Sequence, residues 1–292
     1  MATIANKIDY DGLGLYSKVA NSTGTPGTTP ATAAAALEAN RKLTELATPL
    51  DERCLCLDPA ANAAMVDGLK GLFNSTQTVG EQYRKGMMGM DTLGFGEILV
   101  DQNVRKHTNG AQDGAYLTNE VFVTEADTAT SSDIIVDTGT GALVVGDVFT
   151  IADVYAVNPQ NRQSTGQLQD FTVTTAYAGG AGTINVTPPI RNSGAFQTVD
   201  SLPANSAAMT FKGTLSTAYP QNLAYHKDAF VLGTADLVMP GGVDMASRQT
   251  LDGISMRIIR DYDINNDKLP CRIDVLYGWA AVYPELANRV WG

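Results

Sequence analysis

The sequence predicts an α+β chain in which a small acidic all-β segment is inserted into a frame of helices and strands. Three observations predict it. Residues 32–119 are rich in helix formers with recognisable helix starts. Residues 120–217 lose those formers to Thr, Val, Ile, Phe, Gly and Asp, the composition of short strands and turns. Residues 218–292 return to mixed patterning and end in a hairpin signal. At 292 residues the chain is near the size at which one core divides in two. No internal repeat is visible.

The first zone is residues 1–31. Ile4, Ile8 and Leu15 fit a short helical stripe that Gly12 and Gly14 loosen, and Gly24 to Pro30 is a loop by its turn chemistry. In the second zone, 32–119, Thr32 is placed to cap a helix from Ala33 to Glu45, with Leu37, Leu43 and Leu46 near one face. Cys54-Leu55-Cys56-Leu57 is the one strand expected there. Asp58 followed by Pro59 is a strong helix start, because Asp caps and Pro suits the first turn. Met65, Leu69 and Leu72 carry that helix on. Asn74 or Ser75 restarts another through Val79 and Tyr83, and Gly86 to Met90 breaks it.

The third zone, 120–217, contains three strand-like runs: Asp147 to Ile151, Phe171 to Thr174 and Thr183 to Thr187. Turn clusters at 138–141, 179–182, 188–189 and 192–194 separate them, so a small sandwich or barrel is expected. Its carboxylates at 125, 127, 133, 137, 147, 153, 170 and 200 face only Arg162, Arg191 and Lys212. The stretch Asp133 to Thr140 is expected as an exposed acidic loop, the alternative being pairing with Arg162 or Arg191. In the fourth zone, 218–292, an apolar stretch begins at Asp228 to Leu232. Ile254 to Arg260 and Arg272 to Gly278 read as the arms of a hairpin across Asp261 to Asp267.

Composition excludes several function classes. The net charge is −11, and the longest basic cluster is Arg105-Lys106-His107, so no stripe that would grip DNA phosphates is expected. With three cysteines, Cys54, Cys56 and Cys271, no disulfide framework is suggested; a reducing compartment is expected, with the thiols as small buried hydrophobes. The N-terminus lacks a signal peptide's apolar core, and no apolar run approaches the roughly 20 residues that span a bilayer. A soluble protein made in a cytoplasm is expected. Only 17% of residues are charged, and small side chains fill the gap, which suits surfaces that become interfaces.

No pattern carries chemistry well. Asp261-x-Asp263-x-Asn265-x-Asp267 has the spacing of the first calcium-loop ligands, but Asn266 replaces the glycine and Arg272 the bidentate glutamate. A β-turn is the expectation. Cys54 and Cys56 lack the two further ligands a closed zinc site needs, and are expected as sheet thiols on opposite faces. His107 and His226 are the only histidines, and a structural or surface role is expected for both. No nucleophile elbow, phosphate loop or dinucleotide fingerprint occurs. Catalytic, cofactor-binding and metal-binding residues are therefore all expected to be none, and the chain is expected not to be an enzyme.

Several strings, in order along nearly the whole chain, resemble the major coat proteins of short-tailed bacteriophages. They are Asp9 to Tyr16, Gly24 to Pro30, Asp58 to Ala63, Val66 to Phe73, Gln82 to Gly86 and Asp101 to Val104. Tyr155 to Pro159 with Arg162 to Gly166 marks the insertion, and Tyr219 to Lys227 the exit from it. Tyr262 to Asn265 and Arg272 to Trp279 resemble the family's C-terminal hairpin. The resemblance implies a Hong-Kong-97-like capsid fold with an inserted β-barrel or sandwich domain. Residues 1–31 would end the peripheral domain's spine helix; 32–119 and 218–292 would form the axial domain and a C-terminal peripheral strand; 120–217 would be the insertion. Family members carry an N-terminal arm and extended loop before the point matched by Met1, and those are expected to be missing here.

The implied function is a major capsid protein that self-assembles as pentamers and hexamers into an icosahedral head around double-stranded DNA. The implied partners are further copies, a scaffolding protein and a portal, with assembly in the bacterial cytoplasm and residence in the virion. No sequence-specific nucleic-acid contact and no membrane contact is expected. The acidic wall would repel packaged DNA and leave it free to slide. Two rival readings are a virion decoration or tail protein whose β-zone binds a glycan through Phe122, Phe149, Tyr155, Phe171, Tyr177, Phe196 or Phe211, and a calcium-dependent hydrolase.

Overall fold

A computed structural model describes residues 2–68, 86, 90–113, 115–251 and 253–292. Leu69, Leu72, the helix expected to restart at Asn74 or Ser75, and most of its Met-rich break lie outside the described residues. The fold is mixed α+β. Helix α1 spans Ala2–Leu13, α2 Ala33–Glu45 and α3 Pro59–Gly68.

Each helix has a local cause. Helix α1 runs through Gly12, which is there for close approach: a Cβ at Gly12 would lie 2.7 Å from the Trp279 ring. The Trp279 indole in turn donates to the Ile8 carbonyl at 2.8 Å. Helix α2 has the predicted bounds, but Thr32 makes no side-chain cap. Its buried face is Ala36, Ala39, Lys42 and Leu43, so Leu37, one step around the helix from Ala36, is exposed. The helix closes with Ala47 at φ 59, where Thr48 N bonds Leu43 O at 2.9 Å and Ala47 N bonds Thr44 O at 3.0 Å. The buried Arg53 guanidinium then takes the carbonyls of Pro49 at 2.7 Å and Thr48 at 2.6 Å. Helix α3 starts as expected: Asp58 Oδ1 accepts from Ala61 N at 3.0 Å. Asp58→Ala should cost about 1 kcal/mol, read as a lower urea midpoint with unchanged slope.

The strands before the acidic segment are β1 (Ser22–Thr23), β2 (Arg53–Leu57), β3 (Met90–Thr92), β4 (Phe95–Val100) and β5 (Lys106–Thr108). Next come β6 (Tyr116–Leu117), β7 (Ser132–Val136), β8 (Val148–Val157), β9 (Ser164–Val173), β10 (Gly182–Thr187) and β11 (Ala208–Phe211). The last are β12 (Ala218–Pro220), β13 (Asn222–His226), β14 (Phe230–Ala235), β15 (Met245–Leu251), β16 (Ile254–Arg260), β17 (Cys271–Ala281) and β18 (Ala287–Val290). Residues 32–119 thus hold more strands than the one expected. The extra ones are short or Gly-interrupted and show no clean alternation, which is why pattern alone misses them.

Six strands form a mixed sheet in the order β1-β18-β13-β2-β4-β3, with β1/β18 and β2/β4 parallel. Leu55, Leu57, Phe95, Ile98, Ala224 and Val290 pack with α2 and α3 residues in one apolar cluster. Cys54 and Cys56, expected on opposite faces, lie on the same side of β2, because residues two apart in a strand share a face. Cys54 is half-buried, Cys56 buried and Cys271 exposed, so only one thiol fits the buried expectation. Burial pushes the Cys56 thiol up to about 12, which keeps it protonated and unreactive.

The strands from Tyr116 to Phe211 form a second, antiparallel sheet in the order β6-β11-β8-β9-β10-β7. Its two edges meet. Thr118 bridges Val136, and Asn119 N bonds Ile135 O at 2.8 Å, so the sheet closes into a barrel without a free edge there. Inside are Tyr116, Ile134, Phe149, Ile151, Phe171, Val173, Ile184 and Val186 among others. Asp133 and Asp137 are exposed as expected, but only Asp137 lies on a loop; Asp133 is in a strand. Ser132–Val136 is strand β7, whose alternate residues Ile134 and Val136 fill the barrel. Asp133 accepts from Asn185 at 2.6 Å, while Arg191 donates to the Ala126 carbonyl at 3.0 Å, so neither arginine pairing forms among the described residues. Strands β5 and β12, just outside the barrel, pair antiparallel and make a two-stranded neck.

The remaining sheet has the order β14-β17-β16-β15 and contains the expected hairpin of β16 and β17. Helix α1 packs on β17 at Tyr277 and Trp279. Elsewhere the sheet leaves Val231, Met245, Leu251, Ile273 and Leu276 exposed. No described helix is long and apolar enough to cross a membrane.

A candidate functional site at the joint between barrel and mixed sheet

Where barrel and mixed sheet meet, charged groups are buried. Asp170, on β9, is 1% exposed. Its carboxylate lies 3.1 Å from Lys42 Nζ of α2 and 2.7 Å from Lys212 Nζ just after β11. It also accepts from Ser22 N of β1 at 2.9 Å. Burial works against the charged form, but the two ammonium groups outweigh it and hold the Asp170 carboxyl below the usual carboxylate range. Lys212 Nζ also donates to Ser22 Oγ at 2.8 Å.

Two further contacts extend the joint. Arg289, on β18, is 1% exposed and donates to the Val19 carbonyl at 2.8 Å and the Gly146 carbonyl at 2.7 Å. It reaches Thr172 Oγ1 of β9 at 3.3 Å and lies 5.3 Å from the Tyr16 ring. Burial pushes its guanidinium down to about 10, still cationic at neutral pH. His107, on β5, sits with Nε2 2.9 Å from Asp147 Oδ1 and Nδ1 3.2 Å from the Tyr16 hydroxyl. Asp147 also accepts from Gly110 N at 3.2 Å and Val144 N at 2.9 Å.

Of the residues singled out from sequence, His107 is buried, the structural one of the two roles expected for it, with Asp147 and Tyr16 at its two ring nitrogens. His226 is buried as well, and its Nδ1 accepts from Asp228 N at 3.3 Å. The structure does not bring the two histidines and three cysteines into one cluster; among the described residues no group of three metal-ligating side chains converges. Asp261, Asp263 and Asp267 are spent inside their turn. Asp263 accepts from Asn265 N at 3.0 Å and Asn266 Nδ2 at 2.7 Å, and Tyr262 donates to Asp267 at 2.7 Å. The barrel aromatics Phe149 and Phe171 are core, their rings 5.7 Å apart, and do not present a sugar platform.

The His107–Asp147 pair resembles a hydrogen-bonded catalytic dyad, but His107 is 5% exposed and Asp147 fully buried, so substrate atoms do not reach it. Sequence reasoning missed Lys42, Asp147, Asp170, Arg289 and Ser22 as joint residues, and counted the two acids only among the carboxylates of the acidic segment. One signal was available: Asp147 and Asp170 each stand at the edge of a strand-like apolar run, where a solvated loop acid is out of place.

Buried charge here joins folded parts, and the four-stranded sheet leaves apolar residues open to solvent. The chain matches the family model described as "P22 coat protein - gene protein 5" over residues 15–289. It belongs to that P22 coat protein family, and it is a phage major capsid protein, a structural component of the virion that assembles with copies of itself. No curated protein matches the chain. Among solved structures it is similar to one described as "CUS-3 coat protein I-domain", at 28% identity over 36% of this chain and 97% of that chain, with a TM-score of 0.25.

Proposed function

We propose that the chain is a subunit of a Hong-Kong-97-like icosahedral head that encloses double-stranded DNA, and that the barrel is its inserted domain on the outer surface. The observation that carries this reading is the connectivity. The mixed sheet takes β2 and β4 from before the barrel and β13 and β18 from after it. The barrel enters and leaves through the paired neck strands β5 and β12. The mixed sheet with α2 and α3 then serves as the axial domain around five-fold and six-fold axes. Helix α1 and the four-stranded sheet serve as the peripheral part. Exposed apolar residues on that sheet, such as Ile273 at 61%, suit burial against neighbouring copies.

A scaffolding protein and a portal are the further partners in this reading, and assembly takes place in the bacterial cytoplasm. Head-to-tail contacts that close into rings give pentamers and hexamers from one surface pair. Electron microscopy of the full chain co-expressed with the phage's scaffolding protein should show closed shells or capsomer rings. Persistent monomers, even with an upstream arm and extended loop supplied, would count against it.

A further inference from the structure

The three buried apolar clusters each stay on one side of the joint. The barrel cluster takes its members from Tyr116 to Phe211, and the other two take none from that segment. What crosses instead is polar. Asp170 bonds Lys42 and Ser22, Asp147 bonds His107, Arg289 bonds the Gly146 carbonyl and Thr172, and Asn158 Nδ2 donates to the Glu45 carbonyl at 2.7 Å. Apolar contact is non-directional and tolerates sliding. Hydrogen bonds fail when their angles change, and a buried charge that loses its partner is strongly destabilised. Beside these contacts a small cleft of about 70 Å³ lies between Lys18, Ala20 and Leu46 on the frame and Val157, Gln169 and Pro188 on the barrel. The neck is only two short strands wide.

We infer that the joint is an orientation lock: the Asp170, Asp147 and Arg289 contacts hold the barrel at one angle to the mixed sheet, and breaking them lets it swing about the β5/β12 neck as a folded unit. The barrel has its own closed hydrogen-bond ladder and its own core, so its fold does not depend on docking. The lock converts two independently packed bodies into one rigid shape. A subunit surrounded by copies gains from that, because a wrong angle at one joint is repeated at every contact.

Hydrogen exchange on the full, unassembled chain tests this without reference to shell formation, so its outcome is separate from that of the assembly experiment. In Asp170→Asn, the amide of Gly110 should exchange roughly ten-fold faster, although its own acceptor, Asp147, is intact. The amides of Phe149, Phe171 and Ile184 should stay at their wild-type rates. The apolar replacement Lys42→Met/Asp170→Leu/Lys212→Met, which removes the charges together and keeps the site filled, should show the same pattern and covers the case in which Asp170→Asn does not fold. An unchanged Gly110 rate would mean that Asp170 acts locally and would overturn the lock. So would a rise at Ile184 and Phe171 equal to that at Gly110, since the barrel would then be unfolding rather than swinging.

Discussion

Asp170→Asn should lower the stability of the chain by about 3 kcal/mol at pH 7, read as a fall in the urea midpoint of the mixed-sheet transition. Asn keeps the volume and can still accept from Ser22 N, so the packing change is small. What is lost is the charge. Lys42 Nζ, on a side chain only 6% exposed, is left without a counter-ion. Lys212, 26% exposed, can turn towards water, which places the expected cost at the lower end of the range for breaking a buried pair. The pH dependence has a definite sign. Asp170 is held below its ordinary value in the folded chain, so its contribution is fully present above about pH 4 and is lost as pH falls through the lower folded value. Wild type should therefore lose stability below about pH 4 more steeply than Asp170→Asn. Parallel slopes for the two proteins between pH 5 and about pH 3 would contradict the assignment.

Phe149→Ala should cost the barrel about 4 kcal/mol. The ring is fully buried, stacks 5.7 Å from Phe171 and lies 5.2 Å from Phe211, so truncation removes apolar area, opens a cavity and breaks two ring contacts. The closed ladder around it limits how far the walls can relax. Exchange protection should fall across β8, β9 and β10 and stay near wild type in α2 and β2. Phe196→Ala is the matched control: at 61% exposure it should change stability by no more than about 0.5 kcal/mol. A loss for Phe196 equal to that for Phe149 would mean that the barrel's core has been wrongly placed.

The parts of the fold legible in the sequence are those written in short-range chemistry. Helix α2 spans Ala33–Glu45 as expected because its formers are contiguous, and α3 starts at Asp58 and Pro59 because cap and first-turn chemistry are local. The expected β-type runs at 147–151, 171–174 and 183–187 fall, to within one residue, in β8, β9 and β10, though β8 and β9 extend well beyond them, and the β16/β17 hairpin follows its runs as expected. The pairings that build the mixed sheet were not legible. Ser22-Thr23 joins Arg289-Val290 across almost the whole chain, and nothing within either dipeptide marks it as a strand. The same reason explains Thr32 and Leu37: a residue can have the right type for a cap or a core face and still find its partner elsewhere.

By itself, then, the sequence determined a mixed α+β chain, a separate acidic β segment, the family resemblance and the lack of a recognisable catalytic pattern. Those depend on composition, on periodicity and on ordered strings, each contained within a window of the chain. Only the tertiary structure decided that the β segment closes into a barrel, that His107 is buried against Asp147, and that Asp170 and Arg289 are internal charges rather than surface ones. These properties depend on contacts outside any local window, from the Thr118–Val136 bridge and the His107–Asp147 bond to Lys42 with Asp170 and Arg289 with Gly146, the last two more than a hundred positions apart. The sign and worth of a charge are visible in a sequence. Its solvent is set by the fold, and at this joint the loss of water turns ordinary acids and bases into the contacts that hold barrel and mixed sheet together.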